Sequence, residues 1–409
     1  MSKYFPHQIQ ASDELYARLK QKGVVLLAGE MRTGKTRTAI RTAEMSKAQE
    51  ILVITKKAAI AGWDKELSAV GVTKNYTVTN YEQAAKLKPV YDLCIVDESH
   101  AIGRAGKPTQ RFKTLRAITF QKPLILLSGT PAVESLLAYY YQFALSAFSP
   151  LPQKNFYEFF ALWGRPSPIR LHGRWVEQYK EADPKLLDYL EPWIIPLTQA
   201  DAGIQHTATD VVHTVQLDPS TVALIETIQQ DKVATVAGQM IGFDSDIKER
   251  TTVHQIESGA VLIDDRLEML PNNEVVDYIK TTWGDSPTLA LMAHYRSTRK
   301  KLEQHFPQAH IFSSIAHSEG VDLSGYKDFV IVNTCYSGAK HLQRRDRVVN
   351  LNRTTAAVVN HIVCEGGISP DVYEAVSQKR DFNISQYRRL CASNSYNPKS
   401  SSTLSQKAV

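Results

Sequence analysis

Four short, unbroken apolar runs punctuate the first 150 residues and decide what this part of the chain can fold into. They are GVVLLAGE (23–30), ILVIT (51–55), YDLCIVDE (91–98) and PLILLSGT (123–130). None alternates polar with apolar residues, as a strand with one wet face would. Segments with helical spacing lie between them, such as KTRTAIRTAEMSKA (35–48). Buried strands alternating with helices predict an α/β fold built on a parallel, doubly wound sheet. Open sheets of this kind bind ligands at the carboxyl ends of their strands. The chemically suggestive residues of this chain all fall at such ends.

A second α/β pattern follows in TLALMAHY (288–295), HIFSS (310–314), FVIVNT (329–334) and VVNHIVCE (358–365). Residues 132–200 read as mostly helical and rich in aromatics (LLAYYYQFALSAF, NFYEFFALWG), a density that reads as core packing. Residues 205–265 are polar and poorly periodic. The expected division is a first lobe over 1–205 with a helical insertion at 132–200, a linker or insertion over 206–265, and a second lobe over 266–382. Residues 383–409 hold basic residues, many serines and no acidic ones, and read as a basic, disordered tail.

A chain of 409 residues has ample core for two or three domains. Its formal charge of +6 mildly favours a polyanionic partner such as nucleic acid. The four cysteines, Cys94, Cys335, Cys364 and Cys391, form no C-x-x-C pair, and the histidines show no ligand spacing. A disulfide framework or zinc site is therefore not expected. The segment MSKYFPHQIQ lacks an apolar signal, and no apolar stretch of about 18 residues could span a membrane. The expectation is a cytoplasmic protein.

The segment GEMRTGKT (Gly29 to Thr36) fits the phosphate-loop pattern G-x-x-x-x-G-K-[ST], with a strand before it and a helix after it. Gly29 and Gly34 would permit the tight turn. The backbone N–H groups of Glu30, Met31, Arg32 and Thr33 would approach phosphate oxygens, helped by the helix dipole. Lys35 would reach the β- and γ-phosphates of ATP, and Thr36 would ligate Mg²⁺. CIVDESH (94–100) ends a strand with Asp97, suited to hold Mg²⁺, and Glu98, suited to orient and deprotonate water.

Several segments, in order, resemble superfamily 2 helicases. DESH resembles their DEAH/DEAD box. LLSGTP (126–131) resembles their third motif, in which Ser128 and Thr130 would couple the nucleotide to movement. The Swi/Snf-like branch is matched by YFPHQ (4–8), placing Gln8 near adenine, by ILVITKKAAIAGWDKEL (51–67), VTNYEQA (78–84), GTPAVESLLAYYYQFALSAFSP (129–150) and FYEFFALWG (156–164). In the second half, TLALMAHYRSTRKKLEQHF (288–306) resembles motif IV and AHSEGVDLSGY (316–326) motif V, with Gly320 and Asp322 toward ATP. AKHLQRRDRVVN (339–350) resembles motif VI, with Gln343 coupling and Arg344 and Arg347 toward ATP. IVCEGGISPDVYEAVSQK (362–379) resembles the closing strand and helix.

The resemblance implies two RecA-like lobes with helical insertions, ATP and Mg²⁺ as cofactors, and DNA as partner. DNA-backbone contacts would come from Lys56, Lys57, Thr79, Asn80, Arg296, Ser297 and Ser318. Three departures stand out. Motifs IV and V lie close together, so the second lobe looks abridged. Asn350 stands where motif VI ends in arginine in one register, and Lys340 replaces its glutamine in the other; Arg347 is retained in both and is the expected arginine finger. Glu134 replaces a usual asparagine. The compact form looks most like versions carried by bacteriophages, which would place it in the host cytoplasm.

The implied function is an ATP-dependent DNA helicase or duplex translocase, acting in replication, recombination or repair alongside proteins of those processes. The alternatives are a nucleotide-gated DNA-binding or assembly factor with little motor activity, and an RNA helicase.

Overall fold

The computed structural model describes residues 4–394 except 88–89, 104, 133–134, 172–173, 205–207, 315–322, 324, 346–347, 349–356 and 379. Side chains at 169–171, 174, 339, 343, 385 and 393–394 are likewise outside the description. The chain is α/β and divides into two units, over 4–204 and 208–394. Each unit is built on a parallel sheet flanked by helices, consistent with two RecA-like lobes.

The first unit opens with helix α1 (Pro6–Lys22), started by Pro6 and ended by Gly23 at φ 72°. Strand β1 (Val24–Gly29) leads into α2 (Lys35–Met45), then β2 (Glu50–Thr55), α3 (Ile60–Val70), β3 (Asn75–Asn80) and β4 (Leu93–Val96). Helix α4 (Gln110–Thr119), capped by the Thr109 hydroxyl, precedes β5 (Leu124–Ser128). Short helices α5 (Tyr139–Phe143) and α6 (Phe156–Trp163) follow. Two small antiparallel pairs come next: β6 (Gly164–Arg165) with β9 (Glu181–Ala182), enclosing β7 (Ile169–Leu171) with β8 (Arg174–Val176). Helix α7 (Lys185–Leu190) and strand β10 (Ile194–Leu197) close the unit.

The six-stranded sheet runs β10-β1-β5-β4-β2-β3, all parallel. Its unbroken apolar runs have a direct cause. Val24, Leu26, Leu52, Ile54, Val96 and Leu124 pack on one face with α4 to α7. Val25, Leu27, Ile51, Val53, Ile95 and Leu127 pack on the other with α1 to α3. Successive residues therefore enter two different cores, and neither set can be polar.

The second unit begins with β11 (Ala208–Gln216) and α8 (Pro219–Asp231). The hairpin β12 (Val233–Val236) with β13 (Gln239–Gly242), helix α9 (Asp246–Ile256) and the hairpin β14 (Ala260–Ile263) with β15 (Arg266–Met269) follow. Then come α10 (Glu274–Trp283), β16 (Leu289–Ala293), α11 (Arg296–His305), β17 (His310–Ser313), β18 (Asp328–Ile331), α12 (Gly338–Arg345), β19 (Ala357–Glu365), α13 (Ser369–Ser377) and α14 (Ile384–Asn394). Among the described residues the second sheet runs β11-β19-β18-β16-β17, again parallel.

Three expectations change. The segment 206–265 does not stand apart from the second sheet, because β11 pairs with β19 along its whole length. Asp210 on β11 joins it to its neighbours, accepting from Arg345 Nε at 2.6 Å and lying 2.9 Å from His361 Nε2. The stretch 132–200 is helical only in part: Gly164, Pro166 and Pro168 break the pattern, and short hairpin strands take over. Many of its aromatics are core as expected, with Tyr139, Tyr140, Tyr141, Phe143, Phe156 and Phe159 all buried, whereas Phe148, Tyr157, Trp175 and Tyr189 are exposed. Within the stretch expected as a tail, residues 384–394 form α14, and 395–409 lie outside the described residues. Tyr387 of α14 is buried and its hydroxyl donates to Glu249 at 2.8 Å, while Arg388 reaches Asp246 at 2.6 Å. Among the described residues, no helix is long and apolar enough to cross a membrane.

Candidate phosphate-binding site

The loop between β1 and α2 turns through two left-handed residues, Arg32 at φ 66° and Gly34 at φ 80°. Replacing Gly34 would strain the left-handed backbone, and an added Cβ would stand 2.1 Å from Gln8 Nε2, so the amide end of Gln8 would have to move. Gln8 is buried, and its Oε1 accepts from Phe5 N at 3.1 Å. His7 Nε2 lies 3.0 Å from the Thr33 carbonyl. The first turn of α1 thus braces the loop from below, so Gln8 supports the loop backbone in addition to any role toward a base. Thr33 donates to the Glu30 carbonyl at 2.9 Å. From the turn after β10, Gln199 donates its backbone N–H to Glu30 Oε2 at 2.7 Å and its amide to the Met31 carbonyl at 3.2 Å.

Lys35 Nζ curls over the loop, donating to Gly29 O at 2.7 Å and Glu30 O at 3.0 Å. Burial lowers its pKa, opposed by the Glu98, Asp97 and Glu30 carboxylates. Thr36 is half-buried on the first turn of α2. A loop of backbone N–H groups at a helix start, with an ammonium over it, is suited to a polyphosphate.

Strand β5 lies between β1 and β4, so the ends of all three adjoin. Ser128 is in register with Ala28, and a methyl added at Gly129 would lie 3.5 Å from Lys35 Nζ. Asp97 follows β4 and is nearly buried. Its Oδ2 accepts from Thr55 Oγ1 at 2.9 Å and Trp63 Nε1 at 3.0 Å, and its Oδ1 from Glu98 N at 2.9 Å. Three of roughly four acceptor directions are occupied. The remaining one, on Oδ1, fits a cation held by a single oxygen or through its water. Glu98 itself sits in the left-handed region, φ 53° and ψ 44°.

His100 joins the two motifs. Its Nδ1 is 3.3 Å from Glu98 Oε2 and 2.9 Å from Ser128 Oγ, which accepts from Thr130 N at 3.1 Å. Burial, then the positive Lys56 and Lys35, push the His100 pKa down to about 4. With its pKa held that low the ring is neutral at pH 7, so the approach to Glu98 is not an ion pair, and the hydrogen bond of Nδ1 goes to Ser128 Oγ. Gln142 ties the same segments from beneath, accepting from Ser99 Oγ at 2.7 Å and donating to the Pro131 carbonyl at 2.7 Å. Thr55, Trp63, His100 and Gln142 escape sequence reasoning. For Trp63 and His100 the signal lay within quoted motifs, but nothing local says which side chain they meet.

The residues expected at a nucleic-acid backbone are placed variously. Lys56 is half-buried and Lys57 exposed just after β2. Thr79 and Asn80 end β3 and are buried. Asn80 Oδ1 accepts from the Glu82 and Gln83 N–H groups at 3.1 and 2.9 Å, holding the turn. Arg296 is exposed at the start of α11. Ser297 beside it is fully buried and donates to Gln255 at 2.6 Å, committing its hydroxyl to the interior. Arg344 is also buried, its Nε and Nη2 donating to the Ser314 carbonyl at 3.2 and 2.8 Å. Glu134, Ser318, Gly320, Asp322, Arg347, Asn350 and the Gln343 side chain lie outside the described residues.

No protein-family model matches this chain, and no curated protein matches it.

Proposed function

We propose that the chain is an ATP-driven motor on DNA, a helicase or duplex translocase. The observation that carries this reading is the convergence of Lys35, Asp97–Glu98 and Ser128–Thr130 at three adjoining strand ends, joined through His100. The donor set fits ATP with Mg²⁺. The loop N–H groups and Lys35 would hold phosphates. Asp97, fixed by Thr55 and Trp63, would hold the metal, with Thr36 as a further ligand. Mg²⁺ supplies charge neutralisation on the transferring phosphoryl group. Glu98 orients and takes a proton from the attacking water. His100, neutral, holds Ser128 through Nδ1 and lies 3.3 Å from Glu98, so a change of charge at Glu98 would be felt electrostatically at Ser128 and Thr130. Arg347 is assigned transition-state stabilisation on the motif resemblance alone.

DNA is favoured as partner by the +6 charge and by the motifs of residues 51–164. The test is the ATP hydrolysis rate with single-stranded DNA, duplex DNA and RNA at stated salt. Strong stimulation by DNA is expected, with loss of about 10²-fold or more in Lys35→Ala and Glu98→Gln. Either variant retaining full stimulated activity overturns the proposal. The close spacing of the segments resembling motifs IV and V favours one other reading, a nucleotide-gated DNA binder with little motor activity. Triplex displacement separates the two, since a static binder displaces nothing.

A further inference from the structure

Glu98 is held in a backbone conformation that a residue with a Cβ disfavours. Its φ of 53° and ψ of 44° are those of a left-handed helix. Such torsions turn the carbonyls on either side of the Cα in nearly the same direction, as in any helix, whereas in a strand they point apart. One donor can therefore reach both, and here one does. The Tyr81 hydroxyl donates to the Asp97 carbonyl and, at 3.2 Å, to the Glu98 carbonyl. Two local contacts complete the arrangement. Glu98 N donates to Asp97 Oδ1 at 2.9 Å, and Ala101 N donates to the Glu98 carbonyl at 2.9 Å. Of these three partners, Tyr81 is the one that comes from another element.

Tyr81 is itself built in. It follows β3 directly and is buried, in the core that also holds Ile102 and Phe112. The turn that carries it is closed by Asn80 Oδ1, which accepts from the Glu82 and Gln83 N–H groups. The Arg111 guanidinium of α4 lies 5.0 Å from the tyrosine ring centroid. It also reaches Glu82 at 3.2 Å and donates to the Ala101 carbonyl at 3.1 Å. One arginine thus spans the turn after β3 and the turn after Glu98, and packs on the tyrosine that joins them.

Fixing both peptide planes at Glu98 fixes φ and ψ, and these set the direction in which the side chain leaves the backbone. Its Oε2 lies 3.3 Å from His100 Nδ1. Against the lowering of the Lys35 pKa by burial, Glu98 is the strongest of the three opposing carboxylates. The left-handed turn therefore aims this carboxylate at the phosphate loop.

We propose that Tyr81 is a positioning residue for Glu98: by holding the Asp97 and Glu98 carbonyls, its hydroxyl keeps the turn from which the carboxylate faces the phosphate loop. The inference rests on the reading of Glu98 as the group that orients and deprotonates water. It deepens that reading by naming what holds the group in place.

The experiment uses the full chain and compares wild type with Tyr81→Phe, which keeps the ring beneath Arg111 and removes only the hydroxyl. ATP hydrolysis is measured with and without duplex DNA and oligo(dT). A fluorescent ATP analogue is titrated in parallel to count binding-competent chains. Turnover per competent chain is expected to fall about 10- to 100-fold. KM for ATP and the Kd of the analogue stay within about twofold of wild type, the split expected when ground-state binding is untouched. A hydroxyl that matters only to stability gives the reverse pattern: a lower urea midpoint and fewer competent chains, with unchanged turnover in those that remain. That pattern overturns the proposal, as does a loss confined to KM or a variant that no longer binds the analogue. Wild type that hydrolyses no ATP under any of these conditions sinks the motor reading itself. DNA-stimulated hydrolysis with a silent Tyr81→Phe sinks only the role of the tyrosine.

Discussion

The indole Nε1 of Trp63 donates to Oδ2 of Asp97 at 3.0 Å, across 34 residues of sequence. A helix on one face of the first sheet thereby sets the angle of a carboxylate at the end of a central strand.

Replacing Trp63 by Phe keeps most of the ring volume and removes this donor. A hydrogen bond to a charged group contributes about 1.5–3 kcal/mol, so a loss of about 2 kcal/mol in urea unfolding is expected. On the proposed chemistry, ATP turnover falls roughly 10- to 100-fold as the carboxylate loosens. An unchanged unfolding midpoint would show that the bond contributes nothing.

Gly34→Ala meets two separate penalties. The backbone is at φ 80°, and the new methyl would stand 2.1 Å from Gln8 Nε2. A loss of about 1–3 kcal/mol is expected from the backbone alone. Adding Gln8→Ala relieves the collision but not the left-handed cost, so the double variant should recover only part of the stability. Full recovery in thermal unfolding would assign the whole effect to the collision.

Acid should destabilise this protein through buried neutral histidines. Burial, with neighbouring positive groups, depresses His100 and His294 to about 4 and His254 and His341 to about 3. In the unfolded chain they titrate near 6.5. Between those values the unfolded state binds more protons, so stability falls as pH drops from about 6.5 toward 4. Three of these four lie in the second unit, which is expected to lose its near-ultraviolet circular dichroism first. His254→Asn or His341→Asn should flatten the acid limb, and a limb unchanged in both sinks the explanation.

Glu257 acts in the opposite sense. It is buried, accepts from Ile368 N at 2.6 Å, and burial raises its pKa to about 8. The folded state then holds the proton more tightly than the unfolded state from about pH 4.5 to 8, so this group removes stability as pH rises through that window. The slope is at most about 1.4 kcal/mol per pH unit. Glu257→Gln keeps the shape and abolishes the slope. Urea midpoints at pH 6 and 8 that move alike in wild type and variant would contradict it.

The central strands were legible because two-sided burial writes itself as an unbroken apolar run. β3, β10 and β11 were not. All three are edge strands, where one side is relieved of the sheet, and their sequences NYTVTN, IIPL and ATDVVHTVQ carry polar residues or a proline accordingly. That the 29–36 loop, Asp97–Glu98 and Ser128 lie at adjoining strand ends was legible, because each follows directly on an apolar run. The groups that orient them were not: Trp63 meets Asp97 and His100 meets Ser128 only after the chain has folded, and periodicity carries no record of such pairs. Ser297 illustrates the reverse error, a serine at a promising position whose hydroxyl turns inward to Gln255.

Glu98 occupies a left-handed backbone position that glycine or asparagine would hold with less strain, by roughly 1 kcal/mol. Stability and the proposed chemistry therefore pull this position in opposite directions. A library sorted only for heat resistance should enrich Gly or Asn at 98, and the enriched clones should be the ones that have stopped turning over ATP.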